Sequence, residues 1–283
     1  MNKNYFHSER LWSVLQIIIS LLFPLLLVAI ISCAFPQKSE SSVKKTKVTY
    51  TSGGVILDGY VFFDKNKEGK RPGILVVHEW WGLNNYALMR AKMLAESGYI
   101  AMAVDMFGNG RIAANPNEAQ ELTMPFYKDP YLAKARLEAA ISKLKEFEQA
   151  DSNNMAAIGY CFGGSVVLNS AKLGVDLKGV VSFHGGLAGV PPKKDLLKAK
   201  ILVCHGGNDQ FVPQKDIDIF KQQLDAIGAN YLFKIYPDAT HAFTNPDATR
   251  IGKEFNMPIE YNEAADKKSW NDMILFFHDL FKM

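Results

Sequence analysis

The segment Gly159-Tyr160-Cys161-Phe162-Gly163-Gly164 places a thiol among glycines, after the apolar run Met155–Ile158 and before a helical stretch. A G-x-C-x-G turn between strand and helix is how a chain holds a nucleophile on a sharp elbow, with cysteine here in place of serine. Gly159 and Gly163 stand where a side chain would collide with neighbouring backbone. The helix N-terminus beneath Cys161 brings partial positive charge, which favours a thiolate. The N–H of Phe162 is then aimed at a developing oxyanion. A buried cysteine in a glycine-rich turn has the same local pattern, so the reading needs partners. Ser165 is the rival nucleophile, but it falls inside the helix.

Two partners lie further along. Asp209 closes Cys204-His205-Gly206-Gly207-Asn208-Asp209, directly after the apolar run Lys200–Cys204. His241 sits in Pro237-Asp238-Ala239-Thr240-His241-Ala242-Phe243, directly after Tyr231–Tyr236. The order is Cys, Asp, His, and each residue follows a strand candidate. That order suits a nucleophile, a proton-carrying base and an acid that orients it. Other candidates have plainer readings. His78, His184 and His205 each end an apolar strand as hydrogen-bonded structural histidines. His7 and His278 lie far from the pattern. Asp238 follows Pro237 and builds a turn, and Cys204 is a buried small apolar residue.

The positioning elements are extended and helical runs in alternation. Lys47–Ser52 and Val55–Phe63 form an antiparallel pair around Gly53-Gly54. Ile74–Val77, Tyr99–Val104, Met155–Ile158, Gly179–Phe183, Lys200–Cys204 and Tyr231–Tyr236 are buried strands. Helices are expected over Asn85–Ser97, Gly164–Leu173, Gln214–Ile227 and Glu263–Phe281, and over Asn117–Gln149 with breaks at Pro125 and Pro130. Alternation of this kind predicts an α/β fold with a mostly parallel central sheet and helices on both faces. In such sheets, ligands bind beyond the carboxyl ends of the strands.

Of the 283 residues, 48% are apolar and 22% charged, which suits a globular domain with a substantial core. A net charge of +3 with scattered lysines excludes a nucleic-acid binder. The three cysteines form no disulfide framework and no metal-ligand spacing. No metal or organic cofactor is called for.

The N-terminus is read as an address. Leu11 to Ile31 carries no charge, and roughly 20 apolar residues suffice to span a bilayer. Lys3 and Arg10 before it favour a cytoplasmic start. Ile30-Ile31-Ser32-Cys33 resembles a bacterial lipobox with Cys33 as the lipidated residue; an uncleaved signal anchor is the alternative. The expected organisation is therefore an anchor or signal over 1–33, a flexible polar tether over 34–46 and a catalytic domain over 47–283. That domain would face outside the cytoplasm, held to the membrane.

His78-Glu79-Trp80-Trp81-Gly82-Leu83-Asn84, the cysteine elbow, Gly206-Gly207-Asn208-Asp209 with Val212-Pro213 behind it, and Thr240-His241-Ala242-Phe243 together resemble the dienelactone hydrolase family of α/β-hydrolases. The resemblance spans the chain from about Lys47 to its end. It implies Cys161 as nucleophile, His241 as general base and acid, and Asp209 as its orienter. It also implies Glu79 as an extra carboxylate near the thiol, with the Trp80 and Phe162 amides forming the oxyanion hole. A carboxylate beside a thiol opposes thiolate formation, so Glu79 is expected to hold the resting cysteine protonated or to steer its proton. Members acting on dienelactone clamp the substrate carboxylate with arginines. Here Asn109 and Asn245 occupy the expected places, and Arg111 is a nearby substitute. The expected substrate is accordingly a small uncharged or weakly polar ester, lactone or thioester. A non-catalytic tethered binding protein and a peptidase are the alternatives, and the oligomeric state is left open.

Overall fold

The computed structural model describes residues 42–282, so the apolar N-terminal run and Cys33 lie outside the described residues. Eight strands form one sheet in the order β1-β2-β4-β3-β5-β6-β7-β8. β1 (Val43–Ser52) and β2 (Val55–Asp64) are an antiparallel hairpin, and β2 joins β4 antiparallel. β3 (Arg71–Val77), β4 (Ile100–Val104), β5 (Ala150–Tyr160), β6 (Gly179–Phe183), β7 (Lys200–Gly206) and β8 (Tyr231–Tyr236) run parallel to one another.

Both faces of the sheet are covered, which explains why its central strands are continuously apolar instead of alternating. Ile74 and Val76 point to one side, Leu75 and Val77 to the other. The first side is closed by Ala87, Ala91 and Leu94 of α1 (Asn85–Glu96), with later helical residues Met273, Phe276 and Phe277. The second side is closed by α3 (Pro130–Lys145), α4 (Phe162–Lys172) and α5 (Gln214–Ala226). α2 (Pro116–Lys128) and α6 (Ala248–Phe255) sit among the loops, and α7 (Glu263–Phe281) ends the described chain. Asn84, Asn115, Asp129 and Asn262 cap four of these helices by accepting from first-turn amides. Among the described residues, no helix is long and apolar enough to cross a membrane.

Three boundaries differ from the sequence reading. β1 begins at Val43, so part of the lysine-rich stretch assigned to the tether is strand. Lys44 and Lys45 extend the hairpin by lying over the rings of Phe63 and Tyr60, at 5.7 and 4.3 Å. Pro130 starts α3, where its missing N–H is harmless, whereas Pro125 is carried inside α2 and ends nothing. α6 was not anticipated. It is a single short stretch rich in charge, closed by Asn256 in the left-handed conformation at φ 51°.

The chain moves from β3 outward to β4 and then returns to place β5 on the other side of β3. Loops leaving β3 and β5 therefore part in opposite directions and open a crevice at their carboxyl ends. Glu79 and Trp80 follow β3, and Cys161 follows β5.

Candidate active site

Cys161 occupies a strained backbone, φ 52° and ψ −113°, between β5 and α4. Side chains are excluded on both sides of it. A Cβ on Gly159 would lie 2.0 Å from the Gly163 carbonyl oxygen, and one on Gly163 would lie 2.3 Å from that of Val77. The amide of Cys161 donates to the carbonyl of Phe183 at 3.0 Å and to Nδ1 of His184 at 3.1 Å. Phe162 is the first residue of α4, so its N–H is among those left without a partner inside the helix. Ser165 is turned away and donates to the carbonyl of Gly186 at 3.1 Å.

The loops after β7 and β8 meet through glycine. A Cβ on Gly206 would lie 2.6 Å from the carbonyl oxygen of Ala239, so only glycine lets the loops approach this closely. Asp209 Oδ2 thereby stands 2.9 Å from His241 Nδ1, while its Oδ1 accepts from the amide of Phe211 at 2.8 Å. A bridge to Ile259 holds the backbone of His241 from the far side. With Nδ1 taken by Asp209, the other ring nitrogen is left for the Cys161 side chain, which lines the same cavity. Burial disfavours a charged imidazole here, but Cys161 and Asp209 outweigh it and raise the His241 pKa. Cys161, His241 and Asp209 are thus brought into one line. Asp238 takes no part in it, being exposed in the turn after β8.

Glu79 is buried beside this line, and its Oε2 accepts from Asn245 Nδ2 at 2.7 Å. Burial lifts its pKa to about 7, with the Asn245 bond only partly opposing the rise. The residue before it supports the turn: His78 holds the carbonyl of Glu79 through Nδ1 at 2.5 Å and accepts from the Met106 amide at 3.3 Å. Burial depresses the His78 pKa to about 4, so it is a neutral structural group. Cys204 is likewise buried, its pKa pushed up to about 12 by burial, and Tyr236 donates to its sulfur at 3.6 Å.

A cavity of about 220 Å³ opens over Cys161 and His241. Glu79 and Asn245 lie at its base, and Trp80, Tyr127, Phe211, Ala248, Ile251 and Met257 supply apolar wall. Arg111 is not among its lining residues; its guanidinium donates to the carbonyls of Phe107 and Gly108, at 2.5 and 3.4 Å. Asn109 sits at φ 56° in that same loop, also off the cavity. The sequence reading weighed Asn245 only as a missing arginine and did not foresee that it would hold Glu79. It also passed over Ala248 and Ile251, because α6 was not recognised.

Comparison with known proteins identifies the family. The model of the dienelactone hydrolase family matches residues 57–281. A crystal structure described as a dienelactone hydrolase-like promiscuous phosphotriesterase from metagenomic libraries is similar at a TM-score of 0.79 and 31% identity, covering 84% of this chain and 99% of that one. A Salmonella typhimurium protein whose name makes it a candidate carboxymethylenebutenolidase is 27% identical over 241 residues, 80% of this chain and 84% of its own length. The acylaminoacyl peptidase of Pyrococcus horikoshii shares the fold alone, with 18% identity, a TM-score of 0.64 and 42% of its chain covered.

Proposed function

The chain belongs to the dienelactone hydrolase family, and from that premise we propose that it is a carboxylic ester hydrolase that cleaves small uncharged esters or lactones through an acyl-cysteine. The observation that carries this reading is the line Asp209–His241–Cys161 at the base of an apolar cavity.

In the proposed cycle His241 takes the thiol proton, and the thiolate of Cys161 attacks the ester carbonyl. The amides of Phe162 and Trp80 receive the oxyanion. Collapse of the tetrahedral adduct breaks the ester C–O bond, and His241 protonates the departing alkoxide. Water, deprotonated by His241, then attacks the thioester and returns the thiol. Asp209 fixes the imidazole so that Nδ1 carries its hydrogen and the other nitrogen faces sulfur. Glu79, poised to titrate near neutrality, holds the resting thiol against early ionisation.

The cavity supports the choice of a small uncharged substrate. Its volume of about 220 Å³ is below the ~300–1,000 Å³ of pockets for drug-sized ligands. No Lys or Arg lines it, so a carboxylate substrate would find no bidentate clamp. For the N-terminal segment, we propose that it holds the domain at the outer side of the cytoplasmic membrane, as an anchor or through lipidated Cys33. Mass spectrometry of the N-terminus from the membrane fraction distinguishes the two.

The deciding experiment is hydrolysis of p-nitrophenyl acetate and butyrate by wild type and Cys161→Ala. An acyl burst in wild type and loss of turnover in the variant are expected. A folded wild-type protein that neither turns over nor shows a burst would favour the binding-protein reading instead. A neutral phosphotriester belongs in the same panel because of the similar phosphotriesterase.

A further inference from the structure

Beyond the assignment of Cys161 and His241, on which it rests, we propose that His184 is a positioning residue that clasps the backbone of the nucleophile to the loop carrying the base.

His184 directly follows β6 and is fully buried, with φ at 41°. Its ring stands edge-on to His241, centroids 5.2 Å apart. Nδ1 faces the amide of Cys161 at 3.1 Å and must accept from it. A neutral imidazole that accepts at one nitrogen carries its hydrogen on the other. Nε2 therefore donates to Thr244 Oγ1, at 2.7 Å. Thr244 belongs to the same loop as His241 and Asn245.

That loop is itself tied down. Thr244 Oγ1 lies 2.6 Å from the Tyr86 hydroxyl. The carbonyl of Thr244 accepts from Arg90, which also pairs with Asp266 at 2.6 Å. Thr244, Arg90 and Tyr86 are all buried, so these bonds do not compete with bulk water. The chain of bonds thus runs from α7 and α1 through Thr244 and His184 to the amide of Cys161.

The arrangement works only with His184 neutral. A second proton would remove the acceptor from Cys161 and set two cations side by side when His241 charges. Burial first, and then the charges of His241, Arg90 and His205, hold the His184 pKa well below its usual value. The consequence for catalysis is geometric. Sulfur and base come from the ends of different strands, and His184 sets their separation. A misplacement of about 1 Å costs on the order of 100-fold in rate.

The test uses the full chain with His184→Phe, His184→Asn, Thr244→Val, Thr244→Ser and the Phe/Val double variant. Readouts are kcat and KM for p-nitrophenyl butyrate, the pH profile of Cys161 alkylation by iodoacetamide, and circular dichroism. His184→Phe is expected to fold and to lower kcat on the order of 10- to 100-fold, with KM little changed and alkylation moved to higher pH. His184→Asn, which restores an acceptor near Nδ1, should recover part of the loss. Thr244→Val should reproduce the defect, Thr244→Ser should not, and the double variant should be no worse than the poorer single one. If His184→Phe fails to fold, the Val–Ser contrast at Thr244 carries the test. Unchanged kcat and alkylation profile in folded variants, with only the melting temperature lowered, overturns the clasp. Alkylation reads Cys161 without ester turnover, so failure of the hydrolase reading and failure of the clasp are separate results.

Discussion

Asn245 Nδ2 lies 2.7 Å from Glu79 Oε2, and this neutral partner decides how the buried carboxyl behaves. An arginine reaching the same oxygen would have held the carboxylate ionised. An amide supplies a hydrogen bond without a charge, so desolvation dominates and the Glu79 pKa climbs to about 7. The carboxyl thus changes charge near neutral pH, beside Cys161 in one cavity. Replacing the expected cation therefore alters both the charge of the cavity and the electrostatics around Cys161.

Alkylation of Cys161 should carry the imprint of Glu79. Above pH of about 7 the ionised carboxylate opposes the thiolate, and below it the opposition lapses. Glu79→Gln keeps an acceptor for Asn245 and removes the charge. Its iodoacetamide profile is expected to lose the component near pH 7 and to run faster at alkaline pH. An unchanged profile would show that Glu79 does not govern the thiol.

The same titration affects folding. The folded-state pKa of Glu79 is raised from 4.5 to about 7, so the native state binds more protons than the unfolded state across that interval. Stability contributed by the protonated form is full below about pH 4.5 and is lost as pH rises through about 7. The loss amounts to about 3 kcal/mol, an order-of-magnitude figure from ~1.36 kcal/mol per pK unit. Urea unfolding of wild type and Glu79→Gln at pH 5 and pH 8 is the check. The variant should gain on wild type at pH 8 and not at pH 5; equal gains at both would refute the linkage.

What could be read from the sequence followed from steric and periodic constraints. The central strands were legible because burial on both faces forces unbroken apolar runs such as Ile74–Val77. The elbow was legible because Gly159 and Gly163 admit no side chain. The positions of Asp209 and His241 followed from their places after β7 and β8. The start of β1 was obscured because Lys44 and Lys45 pair with aromatic faces that composition does not reveal. α6 was hidden because its apolar side is only Ala248, Ile251, Gly252 and Phe255 among charges, and its partner Trp81 is distant in the chain. Roles that depend on side chains meeting across the fold, such as Asn245 with Glu79 and His184 with Thr244, have no local signature at all.

Alanine at Gly163 is expected to cost the fold. Its Cβ would sit 2.3 Å from the carbonyl oxygen of Val77 and 2.7 Å from that of His78, both backbone atoms of the central strand region. No rotamer relieves such a contact, so β3 and α4 must separate. A destabilisation above ~3 kcal/mol is expected, beyond the usual range for point changes. Thermal melting of Gly163→Ala checks it, and a melting temperature near that of wild type would mean that the helix can shift to make room.

Asp209→Asn should preserve the fold and damage the chemistry. The amide can still meet His241 Nδ1 at the 2.9 Å separation, but it can present a donor where an acceptor is needed and bind the wrong tautomer. In serine enzymes of this logic the loss in kcat is ~10⁴-fold. A comparable fall is expected here, with the His241 titration seen by NMR moving down because a supporting negative charge has gone. If kcat survives within tenfold (~1.4 kcal/mol), another group orients His241.

The α6 wall of the cavity offers a last test, because it separates substrate choice from chemistry. Ala248 and Ile251 of α6 line the cavity together with Cys161, and neither takes part in the His241–Asp209 hydrogen bond. Ala248→Leu fills space in a cavity of only about 220 Å³, so butyrate should lose more than acetate. Ile251→Ala opens it, and hexanoate should gain on butyrate. One methylene in an apolar pocket is worth ~10- to 200-fold in kcat/KM, large enough to read from a short series of p-nitrophenyl esters. Cys161 alkylation should stay as in wild type in both variants, since the thiol, His241 and Glu79 are untouched. A uniform fall across all chain lengths would instead mean that α6 braces the loop of His241, whose backbone is already bridged to Ile259 just beyond it.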